Sequence, residues 1–177
     1  MSMSMADGVR AKRKLLITVA AWGTPSSQPG IEPNREILGV RTEDSSIEFN
    51  PDIETSTDIL GNNYTDVNKT EPQQDFDPFT LIGGSALGEY LANAALENDI
   101  DAYQNAFTIY IIEAFATSSS SSPIAYKAIK HTECSIIPTA IGGDSYINMP
   151  LEVHFSNKIT KGTVDKLTSD FTFTADT

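Results

Sequence analysis

IEFNPDIETSTDILGNNYTDVNKTEPQQDFDPF, residues 47–79, sets the terms on which the rest of the chain is read. It carries eight acidic residues against one basic residue, Lys69. Its ends, Ile47–Asn50 and Tyr64–Val67, have strand character. Between them Pro51–Asn63 is polar and acidic apart from Ile53 and the pair Ile59-Leu60. The pattern predicts two strands joined by a long excursion, a hairpin loop over about residues 50–63 that leaves the body of the domain. Connections of about 12 residues or more are uncommon in compact domains and are often functional. An apolar pair inside an acidic loop gains nothing from water, so a partner surface is expected to cover it.

At 177 residues the chain fits one domain, with a core large enough to bury roughly 70% of the unfolded surface. The first fourteen residues, with Arg10, Lys12, Arg13 and Lys14, read as a flexible basic tail, and 15–177 as the single domain. From Leu15 onward 8 basic residues face 23 acidic ones, a formal charge of −15. Such a body repels nucleic-acid phosphates and suits a surface past which nucleic acid slides without sticking. The apolar run LLITVAAW after the basic cluster is too short for a signal peptide and reads as a first strand. No stretch is long enough to span a membrane as a helix.

Working outward, Gly23–Asn34 holds Pro25, Pro29, Gly30 and Pro33 and is read as a loop. Glu36–Thr42 and Ser46–Phe49 suit strands meeting at a turn over Glu43-Asp44. After Gly83-Gly84, Ser85 is a good N-cap, and Leu87, Tyr90, Leu91, Ala94 and Ala95 recur at helical spacing with Glu89, Asn93 and Glu97 opposite. This predicts an amphipathic helix over about residues 85–98 with Leu87, Tyr90, Leu91 and Ala94 on its core face. Phe107–Ala116 is apolar on both faces and reads as a central strand. Thr117–Pro123 reads as a serine-rich surface loop. In the strand expected over Ile124–Ile137, Ile124, Tyr126, Ala128, Cys134 and Ile136 share one face, with Lys127, His131, Glu133 and Ser135 on the other. Ile147, Met149, Leu151, Val153 and Phe155 form the core face of the next strand, which Pro150 assigns to an edge or a bulge. Phe171 and Phe173 close the chain on one face of a last strand. The sum is a mainly β (α+β) protein of six to eight strands, a β-sandwich or barrel with one helix on its side.

No catalytic constellation emerges, and the chain is read as neither an enzyme nor a cofactor protein. Acidic pairs such as Asp52/Glu54 and Asp75/Asp77 lie in solvated polar sequence. Cys134 and His131 are three positions apart and fall on opposite sides of a regular strand, so the thiol is read as a buried, inert one. A single cysteine and two histidines, His131 and His154, do not make a zinc site. Asp52, Glu54, Asp58, Asn62 and Asp66 are spread too widely for a calcium loop. Gly83-Gly84-Ser85 lacks the lysine of a phosphate loop and is read as a plain helix start.

The sequence resembles the major tail tube protein of siphophages, the long non-contractile-tailed bacteriophages. The resemblance is carried by EILG at Glu36–Gly39, SIEFNP at Ser46–Pro51, TDILGN at Thr57–Asn62, YTDV at Tyr64–Val67 and FDPF at Phe76–Phe79. It runs from about Leu15 to Asp176 and is most specific over Glu36–Phe79, while the serine run departs from it. It implies a virion structural protein that self-assembles into stacked hexameric rings, in which strands of neighbouring protomers form a continuous inner β-barrel. The rings would form a tail tube, a negatively charged conduit for genome ejection, assembled in the host bacterial cytoplasm. Implied partners are a tape measure protein in the lumen and tail terminator and tail-tip proteins at the ends. Viral DNA would pass without specific binding, and no membrane is involved. The hairpin residues Asp52, Ile53, Glu54, Asp58, Ile59, Leu60 and Asn62 would form the joint between subunits or rings. The alternative from a different class is a β-sandwich binding or receptor-recognition module of a virion.

Overall fold

The computed structural model describes residues 12–23, 34–42, 45–117 and 124–176. Most of the basic tail, the proline-rich loop, the Glu43-Asp44 turn and the serine run lie outside the described residues. The strands, in chain order, are β1 (Leu16–Trp22), β2 (Asn34–Ile37), β3 (Ile47–Glu48), β4 (Pro51–Thr57), β5 (Asn63–Thr70) and β6 (Gln73–Phe76). The helix α1 (Ala86–Glu97) follows, then β7 (Phe107–Thr117), β8 (Tyr126–Pro138), β9 (Leu151–His154), β10 (Ile159–Val164) and β11 (Phe173–Ala175). The fold is mainly β with a single α-helix among the described residues, as the sequence predicts, but it has more strands than the six to eight expected.

One sheet runs β2-β1-β7-β8-β9-β6-β3, with β10 pairing β8 and β11 pairing β10. The sheet curls. Thr18 of β1 donates from Oγ1 to Oε1 of Gln74 on β6 at 2.9 Å, although three strands separate them along the ladder. Gln74 is buried, and its Nε2 donates to Ser45 Oγ at 3.0 Å, so the amide that closes the curl has partners for both ends.

The apolar strand Phe107–Ala116 is central because both of its faces are covered. Phe107 and Ile109 join Trp22, Phe76, Leu87, Leu91, Ile136, Met149, Leu151 and Val153 in a cluster under the helix. Tyr110 and Ile112 face Val19, Ala21, Ala128, Val164 and Phe171 on the other side. There the Arg35 guanidinium lies 4.4 Å from the Phe171 ring centre, and its Nη1 donates to Phe171 O at 2.6 Å. The C-terminal segment is thus held down as a lid over the second cluster.

The helix begins and ends where its signals lie. Ser85 Oγ accepts from Gly88 N at 3.0 Å and donates to Glu36 Oε1 at 2.6 Å, while Glu36 Oε2 accepts from Leu87 N at 3.0 Å. Asn98 takes the left-handed conformation at the C-cap. Leu87, Leu91 and Ala94 are buried, and Tyr90 packs half-buried between Trp22 and Phe107. With these first-turn amides taken, the Gly83-Gly84-Ser85 corner is a helix start and not an anion cradle.

Several expectations need correction. Strand β8 does not keep one parity. Glu133 sits at φ 59, and the pairs Phe107↔Cys134 and Ile109↔His131 place an extra residue on β8. Tyr126 and Ala128 therefore face the second cluster, Cys134 and Ile136 face the first, and His131 turns inward with them instead of outward. Ile124 lies exposed before the strand. Ile147 is 55% exposed and not a core residue, because Asn148 bridges Gly142 and Thr80 in an irregular turn and the strand starts only at Leu151. Met149, Leu151, Val153 and Phe155 are buried. Pro150 precedes β9, an interior strand between β8 and β6, so the edge placement does not hold.

Candidate assembly site

The excursion after Asn50 is not an irregular loop. β4 and β5 form an antiparallel ribbon, separate from the main sheet, in which Ile53 pairs with Val67, Glu54 with Asp66, Thr55 with Thr65, Ser56 with Tyr64 and Thr57 with Asn63. The connection shrinks to residues 58–62. Every residue of both strands is exposed. At roughly 3.4 Å per residue the ribbon extends about 24 Å from the body. An isolated two-stranded ribbon with neither face covered is marginal in water, so its local sequence has to hold it.

That holding is done by Asp58. Its Oδ1 accepts from Leu60 N at 2.8 Å and from Asn62 N at 2.9 Å. Its Oδ2 accepts from Asn62 Nδ2 at 2.9 Å and from Tyr64 OH at 3.1 Å. The Asn62 side chain, followed by the surrounding amides, lowers the Asp58 carboxyl to about 2, so it is ionised at neutral pH. Gly61 completes the turn at φ 82, a conformation that favours glycine. The turn leaves Ile59 and Leu60 at the apex, 103% and 81% exposed. The apolar pair is presented by an ordered turn, which lowers the ordering cost of burying it against a partner.

The two faces of the ribbon differ. Cross-strand partners share a face, so Ile53, Val67, Thr55 and Thr65 line one side, and Asp52, Glu54, Asp66, Ser56, Tyr64 and Lys69 the other. Of the residues singled out from the sequence, Asp58, Ile59, Leu60 and Asn62 come together in the tip, Ile53 lies on the apolar face, and Asp52 and Glu54 lie on the acidic face. Val67 on the apolar face and Tyr64 on the acidic face belong to the same ribbon and were not singled out. Their signal was present in the β-branched and aromatic alternation of Tyr64–Val67.

Elsewhere the chemistry is quiet. His131 and Cys134 do share a side, because of the bulge, and His131 Nδ1 donates to Ser156 O at 3.0 Å. Both are sealed from solvent, and burial pushes the Cys134 thiol pKa up, the wrong direction for a nucleophile. Among the described residues no group of three or more His, Cys, Asp or Glu is placed to hold a metal ion. No helix among them is long and apolar enough to cross a membrane.

No protein-family model matches the chain, and no curated protein matches it. Among solved structures it is similar to a chain of the anti-feeding prophage baseplate, at 10% identity and a TM-score of 0.47, over 89% of this chain and 97% of that one. It is also similar to a chain of the anti-feeding prophage cap that terminates the tube, at 14% identity and a TM-score of 0.46, over 90% and 95%. A chain of an extracellular contractile injection system, the PVC sheath–tube complex in its extended state, follows at 11% identity and a TM-score of 0.43, over 81% and 86%.

Proposed function

We propose that this chain is a structural subunit of a phage-type tail tube, of the siphophage kind its sequence resembles. In this reading protomers close into hexameric rings and the rings stack, with the β4–β5 ribbon as the joint to the next subunit. The observation that carries it is the ribbon itself. It is fully exposed, its tip is ordered by Asp58, and it ends in an apolar pair that none of the described residues covers. Among the described residues the short strands β2 and β3 stand at the two ends of the sheet order, where a continuous inner barrel would need pairing between protomers. A body charge of −15 suits a lumen that DNA crosses without binding. Tape measure, terminator and tip proteins would then be its partners inside and at the ends of the tube.

Negative-stain microscopy of the purified full chain tests the reading. Rings or tubes at high concentration are expected. Small particles alone, persisting when a tail-initiator complex is supplied, would overturn it and favour the virion receptor-recognition module, for which the exposed tip would bind a cell surface as a monomer.

A further inference from the structure

The outer surface of the sheet over β3, β6 and β9 carries one sign of charge. Glu48 pairs with Gln73, Asp75 with Glu152, and Gln73 with His154, and cross-strand partners share a face. Glu48, Gln73, Asp75, Glu152 and His154 therefore lie together, on the side away from Phe76, Leu151 and Val153, which are buried in the first cluster. No lysine or arginine occurs in these three strands. Asp77 joins Glu48 and Asp75 at the rim, where with Ser45 and Ser46 they line a hollow of about 180 Å³. Among the described residues no lysine or arginine pairs with Glu48, Asp75 or Asp77. Of the nitrogen groups at the far side of this face, His154 stands 3.5 Å from Glu152, and Lys69 is engaged by Glu71 at 2.6 Å.

The cations of the chain are concentrated at its start. Arg10, Lys12, Arg13 and Lys14 follow one another closely, and Asp7 is the one acid before Leu15. Lys12 and Lys14 are exposed. Lys14 and Ser45 line the same cleft of about 310 Å³, with Leu16 and Phe76. Ser45 also lines the acidic hollow. The basic segment thus joins the body next to the carboxylates, and the stretch from Lys14 back to Arg10 reaches about 13 Å when extended.

We propose that the basic segment holding Arg10 and Lys12 seats on the Glu48–Asp75–Asp77 face of its own protomer. Ion pairs this exposed are individually weak. The tether changes the balance, because a segment joined to the body a few residues away is present at a millimolar effective concentration. Several such pairs made together then hold it. The seat also shields β3, one end of the sheet order, and open sheet ends invite unwanted pairing in a lone protomer. The contact is made within one chain, so it stands apart from the tube reading and from the test of that reading.

The test is a spin label on Gly8→Cys in the full chain, read through the amide resonances of the dilute protomer. Cys134 is buried and does not compete for the label. The Glu48, Asp75 and Asp77 amides should lose most of their intensity at low salt. They should regain it as salt shortens the screening length from about 10 Å at 0.1 M to about 3 Å at 1 M. Arg10→Glu with Lys12→Glu should abolish the loss, as should Glu48→Lys with Asp77→Lys, and combining all four should bring it back. The dispersed spectrum of each variant shows that it folds. Intensities that stay full in the parent, or a loss that survives either charge reversal, overturn the seat. Equal loss in an isotope-labelled chain without the spin label, mixed with the spin-labelled one, places the contact between copies and overturns the proposal too.

Discussion

Replacing Ile59 and Leu60 together by Asp should leave the protomer intact and abolish stacking. The two side chains are 103% and 81% exposed, so the isolated protomer loses no buried apolar area when they change. Surface substitutions of this sort stay within about 0.5 kcal/mol of neutral, and the melting temperature should move by no more than a few degrees. Asp58 accepts from the backbone of Leu60 and not from its side chain, so the turn survives the change. In a stacked tube the same two side chains would be covered. Fully burying an isoleucine or leucine contributes about 1.5–3 kcal/mol, so the pair contributes roughly 3–6 kcal/mol per joint. At about 1.4 kcal/mol per factor of ten, the joint weakens by some 10²–10⁴-fold, before the added cost of desolvating two carboxylates. Sedimentation velocity over a concentration series, with negative-stain images of the same samples, reads both effects. Tubes of normal length at wild-type concentration would refute the role given to the tip. A large drop in melting temperature would refute the claim that these residues are uncovered in the protomer.

Other expectations follow from single contacts. Asp58→Ala should disorder the tip and weaken assembly without lowering the protomer's melting temperature, seen as loss of dispersion in the Leu60 and Asn62 amide resonances. Because the folded-state pKa of Asp58 is depressed to about 2, its contribution to tip order is complete above the ordinary carboxylate range near 3.8 and disappears as pH falls through about 2, which the same amides report in an acid titration. His131 is buried, and burial lowers its pKa from 6.5, so protonation opposes folding: stability is full above pH 6.5 and falls as the pH drops below it, and urea melts at pH 7.5 and 5 should separate in the wild type but less in His131→Gln. Leu87→Ala at the helix–sheet contact should cost about 2–5 kcal/mol in the same melts, since Leu87 is fully buried in the main cluster. Gly162→Val should destabilise strongly, because a Cβ there meets Thr174 O and the Phe173 ring.

The parts of the fold that announce themselves in the sequence are those whose burial is one-sided or complete within the chain. The helix is legible because Leu87, Leu91 and Ala94 repeat at helical spacing between a serine cap and an asparagine stop. β7 is legible because Phe107, Ile109, Tyr110 and Ile112 fill both faces. β6 is silent because its key buried residue, Gln74, is polar and is held by Thr18 and Ser45 from distant parts of the chain. β10 is silent because Lys161 and Gly162 interrupt the apolar run, and Gly162 is there to make room for Phe173. The parity break in β8 comes from one residue at positive φ, Glu133, with no glycine to flag it.

The ribbon was misread for a different reason, and that reason bears on function. A strand shows alternation in its sequence when one face is buried by its own chain. β4 and β5 have neither face buried within the protomer, so Pro51–Thr57 reads as loop although it holds a full ladder with Asn63–Thr70. Weak alternation is in fact present, with Ile53 and Val67 paired on one side and Glu54 and Asp66 on the other. That pattern suits a ribbon whose two faces would meet unlike surroundings in the assembly proposed above. An unsupported ribbon of this length would fray unless its turn were fixed, and the four hydrogen bonds accepted by Asp58 fix it. A turn stabilised to hold two apolar side chains out in water destabilises nothing in the monomer and gains nothing there either. In the assembly proposed above that order has a use, because a second surface would receive Ile59 and Leu60 already aligned, and the tip is therefore the first place to test it.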